Sequence, residues 1–125
     1  MKLLHTSITV KNMNETIKFY TENFGLKLVN RKEIPENNAE IAFLEDDRTD
    51  YRIELTFWRN KQDYSEGDQL DHLALGVEDM DRSIADLKRK GVKIAKEPYF
   101  LTNSLKRIAF IKDPNDIWIE LIQQK

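Results

Sequence analysis

The stretch that decides the fold is HTSITVKNMNETI, residues 5–17, because the chain repeats it as HLALGVEDMDRSI at residues 72–84. In both copies a histidine comes first, a valine follows five residues later, and a methionine follows three residues after the valine. Similarity at a fixed offset is typical of a chain built from repeated structural units. The sequence therefore predicts two versions of one unit in tandem.

Each copy predicts the same order of secondary structure. Alternating apolar and polar residues indicate a strand at the start, and apolar residues at helical spacing follow it. Gly25 and Gly91 stand where each helix is expected to end, and three further strands follow each glycine. Each copy is thus a βαβββ unit, and the predicted fold class is α+β. The side-chain oxygens expected to begin the helices belong to Asn12, Asn14, Asp79 and Asp81.

The two copies divide a single predicted domain, residues 1–125, into repeats at about 1–58 and about 70–125. Between them lies the polar stretch RNKQDYSEGDQLD, residues 59–71, which has little to bury. We expect a linker at about residues 59–69.

Composition excludes several classes of protein. The chain has 125 residues, 40% of them apolar and 34% charged, which is typical of a folded domain. A formal net charge of −2 offers no basic surface for nucleic acid or an anionic membrane. The sequence has no cysteine, no membrane-spanning apolar run and no signal peptide pattern at its start. We therefore expect a cytoplasmic protein without nucleic acid or membrane partners.

Four side chains at matched positions stand out as candidates for a functional site. His5 and His72, the only two histidines, open the two copies, and Glu54 and Glu120 each lie in an "IEL" segment. The two-residue period of a strand places these side chains opposite the main apolar rows. A histidine or glutamate on a strand is more often a hydrogen-bonded or solvated residue, and duplication alone can preserve a pair. Two imidazoles and two carboxylates nevertheless suit a divalent ion, with Ni²⁺ or Co²⁺ favoured and Zn²⁺ or Mn²⁺ also compatible.

Several segments resemble glyoxalase-type members of the vicinal oxygen chelate superfamily over nearly the whole chain. The order His, Glu, His, Glu is the most specific part, since dioxygenases of that superfamily use two histidines and one glutamate. The resemblance implies a vicinal oxygen chelate fold, with His5, Glu54, His72 and Glu120 as metal ligands. It also implies a homodimer, in which the first half of one subunit and the second half of its partner form one site. The segments are LLHT (3–6), IKFYTENFGLKL (17–28), IELT (53–56), DHLALGV (71–77) and IAFIKDPNDIWIEL (108–121).

The activity that this resemblance implies is that of a carbon–sulfur lyase of the lactoylglutathione lyase type. Such an enzyme converts the hemithioacetal of a 2-oxoaldehyde, such as methylglyoxal, and a thiol into a 2-hydroxyacyl thioester. Glu120 is the expected catalytic base, with Glu54 acting on the opposite face of the substrate. Two alternatives remain open: a related metalloenzyme such as an acyl-CoA epimerase, and a binding protein without catalysis.

The identity of the thiol is left open, because the residues that hold glutathione in typical members of the family are replaced in this sequence. The family's arginine and asparagine are replaced by Thr9 and Trp58, and a further arginine found in some members is replaced by Asp68. Lys106 and Arg107 are candidates for holding an anionic part of the substrate, although a solvated strand face is the commoner role for such residues. Trp118 lies beside an altered turn, residues 113–117, and completes the candidate substrate-binding residues.

Overall fold

A computed structural model describes residues 1–61, 63–64, 67, 70–102 and 104–124. The chain divides into two compact units, Met1–Tyr64 and Ser65–Lys125. This division falls inside the predicted linker, and Asp68 of that linker lies outside the described residues.

The first unit is a four-stranded sheet with one α-helix. Its strands follow the order β1-β4-β3-β2, with β1 parallel to β4 and the other neighbours antiparallel. The elements are β1 (His5–Thr9), α1 (Met13–Phe24), β2 (Lys27–Ile34), a short 3₁₀ turn (Pro35–Asn37), β3 (Ala39–Glu45) and β4 (Arg52–Trp58).

The second unit has the same topology, with strand order β5-β8-β7-β6 and a parallel pair formed by β5 and β8. The predicted α+β fold of two βαβββ modules is therefore confirmed. The elements are β5 (Leu73–Val77), α2 (Met80–Arg89), β6 (Lys93–Phe100), β7 (Arg107–Lys112) and β8 (Trp118–Gln123).

Side-chain caps explain where both helices begin. Asn12 Oδ1 accepts a hydrogen bond from the backbone N–H of Glu15 at 2.9 Å, and Asp79 Oδ1 accepts one from Arg82 at 3.1 Å. Each cap satisfies a backbone donor that has no partner within the helix. Gly25 ends α1 in the left-handed conformation, at φ 69°, which costs glycine no steric strain.

Each helix covers one face of its own sheet. In the second unit Met80, Ile84 and Leu87 are all buried, as helical spacing predicts. In the first unit Thr16 is buried, whereas Ile17 is only half-buried. The Thr16 hydroxyl is satisfied because it donates to the Asn12 carbonyl at 2.8 Å. One face of each sheet thus forms a core, and the opposite face is left for other contacts.

Within the described ranges, no helix is both long and apolar enough to cross a membrane.

Candidate functional site

His5 and Glu54 lie on the same face of the first sheet, because β1 and β4 are parallel neighbours. Ser7 is the register partner of Glu54, and His5 stands two residues before Ser7 on the same side of the strand. His5 Nε2 is 4.0 Å from Glu54 Oε1. The side chains are 39% and 17% exposed, so both groups remain open to a ligand.

The second unit repeats this arrangement in the same register. Ala74 is the partner of Glu120 across β5 and β8, and His72 stands two residues before Ala74. His72 Nε2 lies 3.2 Å from Glu120 Oε1, with the side chains 30% and 15% exposed. We call the two His–Glu pairs the first half-site (His5, Glu54) and the second half-site (His72, Glu120).

A phenylalanine supports each histidine, and sequence reasoning missed both. The rings of His5 and Phe43 meet edge-on with centroids 5.4 Å apart, and those of His72 and Phe110 do so at 5.7 Å. Each phenylalanine is also the antiparallel register partner of the glutamate in its half-site. The sequence does contain a signal for this pair of phenylalanines, since the tripeptide IAF occurs at residues 41–43 and again at 108–110. These rings restrict the orientation of the imidazoles.

The surroundings of the two glutamates differ. In the first half-site, Thr56 Oγ1 lies 3.5 Å from Glu54 Oε1 and 3.0 Å from Ser7 Oγ. The corresponding positions in the second half-site are Ala74 and Ile122, which have no hydroxyl group. Glu54 therefore lies beside a pair of hydroxyls, whereas the matched positions beside Glu120 are aliphatic.

The surroundings of the two histidines differ as well. Asp71 Oδ2 lies 2.7 Å from His72 Nδ1, the ring nitrogen that faces away from Glu120. The residue before His5 is Leu4, which is 64% exposed and offers no acceptor through its side chain.

The donor atoms of each half-site suit a divalent ion. An ion binds imidazole nitrogen and carboxylate oxygen at ~2.0–2.2 Å, so two ligand atoms of one ion can be at most about 4.2 Å apart. Separations of 3.2 and 4.0 Å satisfy this limit. Across the part of the chain that the structure describes, no group of three or more His, Cys, Asp or Glu side chains is placed to hold an ion. Each unit by itself supplies two candidate ligands.

Three of the predicted substrate-binding residues share a face with a half-site. Thr9 follows Ser7 by two residues on β1 and is the register partner of Thr56. Trp58 ends β4 on the side of Glu54 and is 37% exposed. Trp118 lies on the side of Glu120, where its ring meets Phe110 edge-on at 5.6 Å.

The two predicted basic residues are placed differently. Arg107 projects to the opposite side of β7 from Phe110, and its guanidinium lies 2.8 Å from Asp81 Oδ1 on α2. The hydrogen bond from Arg107 lowers the pKa of Asp81 below its ordinary value. The charge of Arg107 therefore faces the helix, and the structure does not bring it together with Glu120. Lys106 is exposed, immediately before β7.

Comparison with known proteins identifies relatives along nearly the full chain. The family model described as the Glyoxalase/Bleomycin resistance protein/Dioxygenase superfamily matches residues 2–121. A probable lactoylglutathione lyase of Vibrio cholerae is 35% identical over 126 residues, which cover 99% of this chain and 91% of that protein.

Solved structures agree with this result. Glyoxalase I from Zea mays has a TM-score of 0.88 and 34% identity over 98% of this chain, which spans only 44% of the maize chain. A trypanothione-dependent glyoxalase I from Leishmania major has a TM-score of 0.84 and 31% identity, with 99% of this chain and 87% of that chain covered.

Proposed function

The chain belongs to the Glyoxalase/Bleomycin resistance protein/Dioxygenase superfamily, and we propose that it is a metal-dependent lyase of the glyoxalase type. Its substrate is the hemithioacetal of a 2-oxoaldehyde, such as methylglyoxal, and a thiol, and its product is a 2-hydroxyacyl thioester. The observation that carries this proposal is the repeated His–Glu pair, which occurs in the same register in both units. Relatives named lactoylglutathione lyase support the reaction assigned to that pair.

The proposed metal ligands are His5, Glu54, His72 and Glu120. Two neutral imidazoles and two carboxylates balance the charge of a divalent ion and leave coordination positions open for substrate. We favour Ni²⁺ or Co²⁺, with Zn²⁺ or Mn²⁺ as alternatives. When bound, such an ion supplies a Lewis acid that stabilises negative charge developing on the two neighbouring oxygens of the substrate.

We further propose that the protein is a homodimer that shares its sites between subunits. The first half-site of one subunit and the second half-site of its partner complete one four-ligand centre. This arrangement accounts for the duplicated sequence, because each repeat carries half of the ligands. It is also compatible with the pairs found within each unit.

In the proposed reaction Glu120 is the general base. Its carboxylate removes the proton from the carbon that bears the hydroxyl and sulfur, and returns a proton to the adjacent carbonyl carbon. The hydroxyl proton of the first carbon passes to the oxygen of the second carbon. The first carbon thus becomes the thioester carbonyl and the second the hydroxyl-bearing carbon, without any change in overall oxidation state. Glu54, held beside Thr56, acts on the opposite face of the substrate.

The thiol portion of the substrate is less closely defined. Thr9 and Trp58 lie on the face of Glu54 and are proposed to contact it, and Trp118 is proposed to do so beside Glu120. None of these three carries a charge, so the carboxylates of a thiol such as glutathione gain no ion pair from them. Lys106 is the remaining basic candidate, while Arg107 is already paired with Asp81. Glutathione is therefore one of several thiols to test.

The direct test is thioester formation by metal-stripped protein, with Ni²⁺, Co²⁺, Mn²⁺ or Zn²⁺ added back singly. Methylglyoxal would be combined with glutathione, with trypanothione and with a small neutral thiol. We expect no turnover without an ion, turnover with at least one ion and thiol, and loss of turnover in His72→Gln. Tight ion binding without turnover of any hemithioacetal would contradict the proposed reaction.

A further inference from the structure

We propose that Asp71 is a positioning residue for His72: its carboxylate holds the imidazole in the tautomer protonated on Nδ1, which leaves Nε2 free to bind an ion. This inference rests on the proposed function only for its last step, the use of Nε2 as a ligand. The tautomer itself is a property of the metal-free protein.

The argument begins with the two carboxylates that flank His72. Asp71 Oδ2 lies 2.7 Å from Nδ1, and Glu120 Oε1 lies 3.2 Å from Nε2. A neutral imidazole has only one N–H group, so it can donate to only one of them. The shorter distance favours donation to Asp71, because charge-assisted N–H···O bonds are shortest when well formed.

The consequence concerns which nitrogen atom keeps its lone pair. With the proton on Nδ1, the lone pair on Nε2 points to the side of the ring where Glu120 lies. A carboxylate that accepts the second N–H group of a metal-binding histidine fixes the orientation of the ring and increases its strength as a ligand. Asp71 thus makes His72 a prepared ligand before any ion is bound.

The first half-site offers an internal comparison, because Leu4 stands where Asp71 stands in the second. His5 therefore has no such carboxylate on its neighbour, although it has the equivalent phenylalanine and glutamate. Leu4 is 64% exposed, and the Asp71 side chain is 92% exposed. Exchanging these residues should leave the core of either unit intact.

The experiment is nitrogen NMR of the imidazole rings in metal-free protein, at about pH 9, which is above the ordinary pKa of a free imidazole. The chain has two histidines, so a His5→Gln variant assigns both sets of signals. We expect His72 to carry its proton on Nδ1 and His5 to differ from it. Protonation of His72 on Nε2, directed at Glu120, would overturn the proposal.

Three variants separate the carboxylate from other effects. Asp71→Leu, which copies the first half-site, should move the proton of His72 to Nε2, whereas Asp71→Asn keeps an acceptor oxygen and should preserve Nδ1 protonation. Leu4→Asp should move His5 towards the Nδ1 tautomer. Unchanged His72 signals in Asp71→Leu, or unchanged His5 signals in Leu4→Asp, would contradict a role for the preceding carboxylate.

Calorimetric titration with Ni²⁺ tests the use of Nε2 as a ligand. We expect Asp71→Leu to bind Ni²⁺ about tenfold more weakly than the original protein. This is the low end of the loss expected when a carboxylate that accepts from a metal-binding histidine is removed, because Asp71 is exposed. Asp71→Asn should lose less of the Ni²⁺ affinity than Asp71→Leu. Equal affinity in all three proteins would overturn the positioning role. Absence of Ni²⁺ binding in every protein, with the tautomers as expected, would instead count against the proposed function.

Discussion

Glu54 and Glu120 occupy equivalent positions, but their neighbours suggest different tasks. Glu54 has the Thr56 hydroxyl at 3.5 Å, whereas the matched positions beside Glu120, namely Ala74 and Ile122, are aliphatic. A hydroxyl at this distance is a weak restraint on the Glu54 carboxylate. Glu120 has no hydroxyl at these positions, and its carboxylate lies 3.2 Å from His72 Nε2, in keeping with its proposed role as the base.

We therefore predict that Glu120→Gln reduces kcat by about 10²–10⁴, the usual contribution of a general base. The amide oxygen still coordinates an ion, so Ni²⁺ should remain bound at concentrations above the weakened Kd. Steady-state kinetics at saturating Ni²⁺ and a parallel titration would measure the two effects. Full turnover by metal-loaded Glu120→Gln would assign the base to another group.

A second prediction at this scale concerns Thr56. Thr56→Val removes the hydroxyl beside Glu54 without changing the size of the side chain, and Ile122 shows that an aliphatic residue fits the matched position. We expect Ni²⁺ binding to weaken by about threefold, because a contact of 3.5 Å contributes less than the ~1.5 kcal/mol of a good hydrogen bond to a charged group. Thr102→Val, at an exposed site, is the control. If Thr102→Val weakened Ni²⁺ binding more than Thr56→Val, the effect could not be assigned to the Thr56 hydroxyl.

Some of these residues could be predicted from the sequence and others could not. The histidines and glutamates stood out because each is rare on an otherwise apolar segment and recurs in the second copy. Phe43 and Phe110 did not, because an apolar residue on a strand is ordinarily assigned to the core. Asp71 was hidden for a different reason. Asp71 belongs to no periodic pattern, and its contact with His72 depends on side-chain conformation.

At the scale of elements, the parallel pairing of β1 with β4 and of β5 with β8 brings each histidine beside its glutamate. The repeat and the periodicity predicted the strands, the helices and, among four candidate cap residues, the two that cap, Asn12 and Asp79. They did not predict that Arg107 faces α2, because the register of β7 determines which side of the sheet it occupies. The local sequence pattern identifies a strand, whereas the side of the sheet on which a residue lies depends on pairing with strands distant in sequence.

The connection from β3 to β4 makes a prediction about pH. Asp46 accepts hydrogen bonds from the backbone N–H groups of Arg48 and Thr49 at 2.9 and 2.8 Å, and these bonds lower its pKa. A carboxyl whose pKa is lowered in the folded state contributes stability above its unfolded pKa, ~3.9, and loses that contribution as the pH falls. The contribution of Asp46 is therefore complete at neutral pH.

Asp46→Asn should accordingly be less stable than the original protein at pH 7, and the difference should shrink as the pH falls from about 5 to about 3. Urea denaturation at a series of pH values would measure it. Asp47→Asn, at the exposed neighbouring position, is the control. A difference for Asp46→Asn that stays constant over this range would show that its charge makes no such contribution.

At the scale of the whole molecule, the central claim is that two half-sites from different subunits complete one active centre. Two inactive variants provide the test. One has the first half-site disabled by His5→Gln and Glu54→Gln, and the other has the second disabled by His72→Gln and Glu120→Gln. In a mixed dimer, the second half-site of the first variant meets the first half-site of the other, so one of the two centres keeps all four ligands.

The measurement that tests this claim most directly is thioester formation by the two variants, first alone and then after subunit exchange in the presence of Ni²⁺. We predict that each variant is inactive alone and that the mixture regains about a quarter of the original activity, because half of randomly paired dimers are mixed and each has one intact centre. A mixture that stays inactive after confirmed exchange would contradict the claim, since each centre would then belong to a single chain.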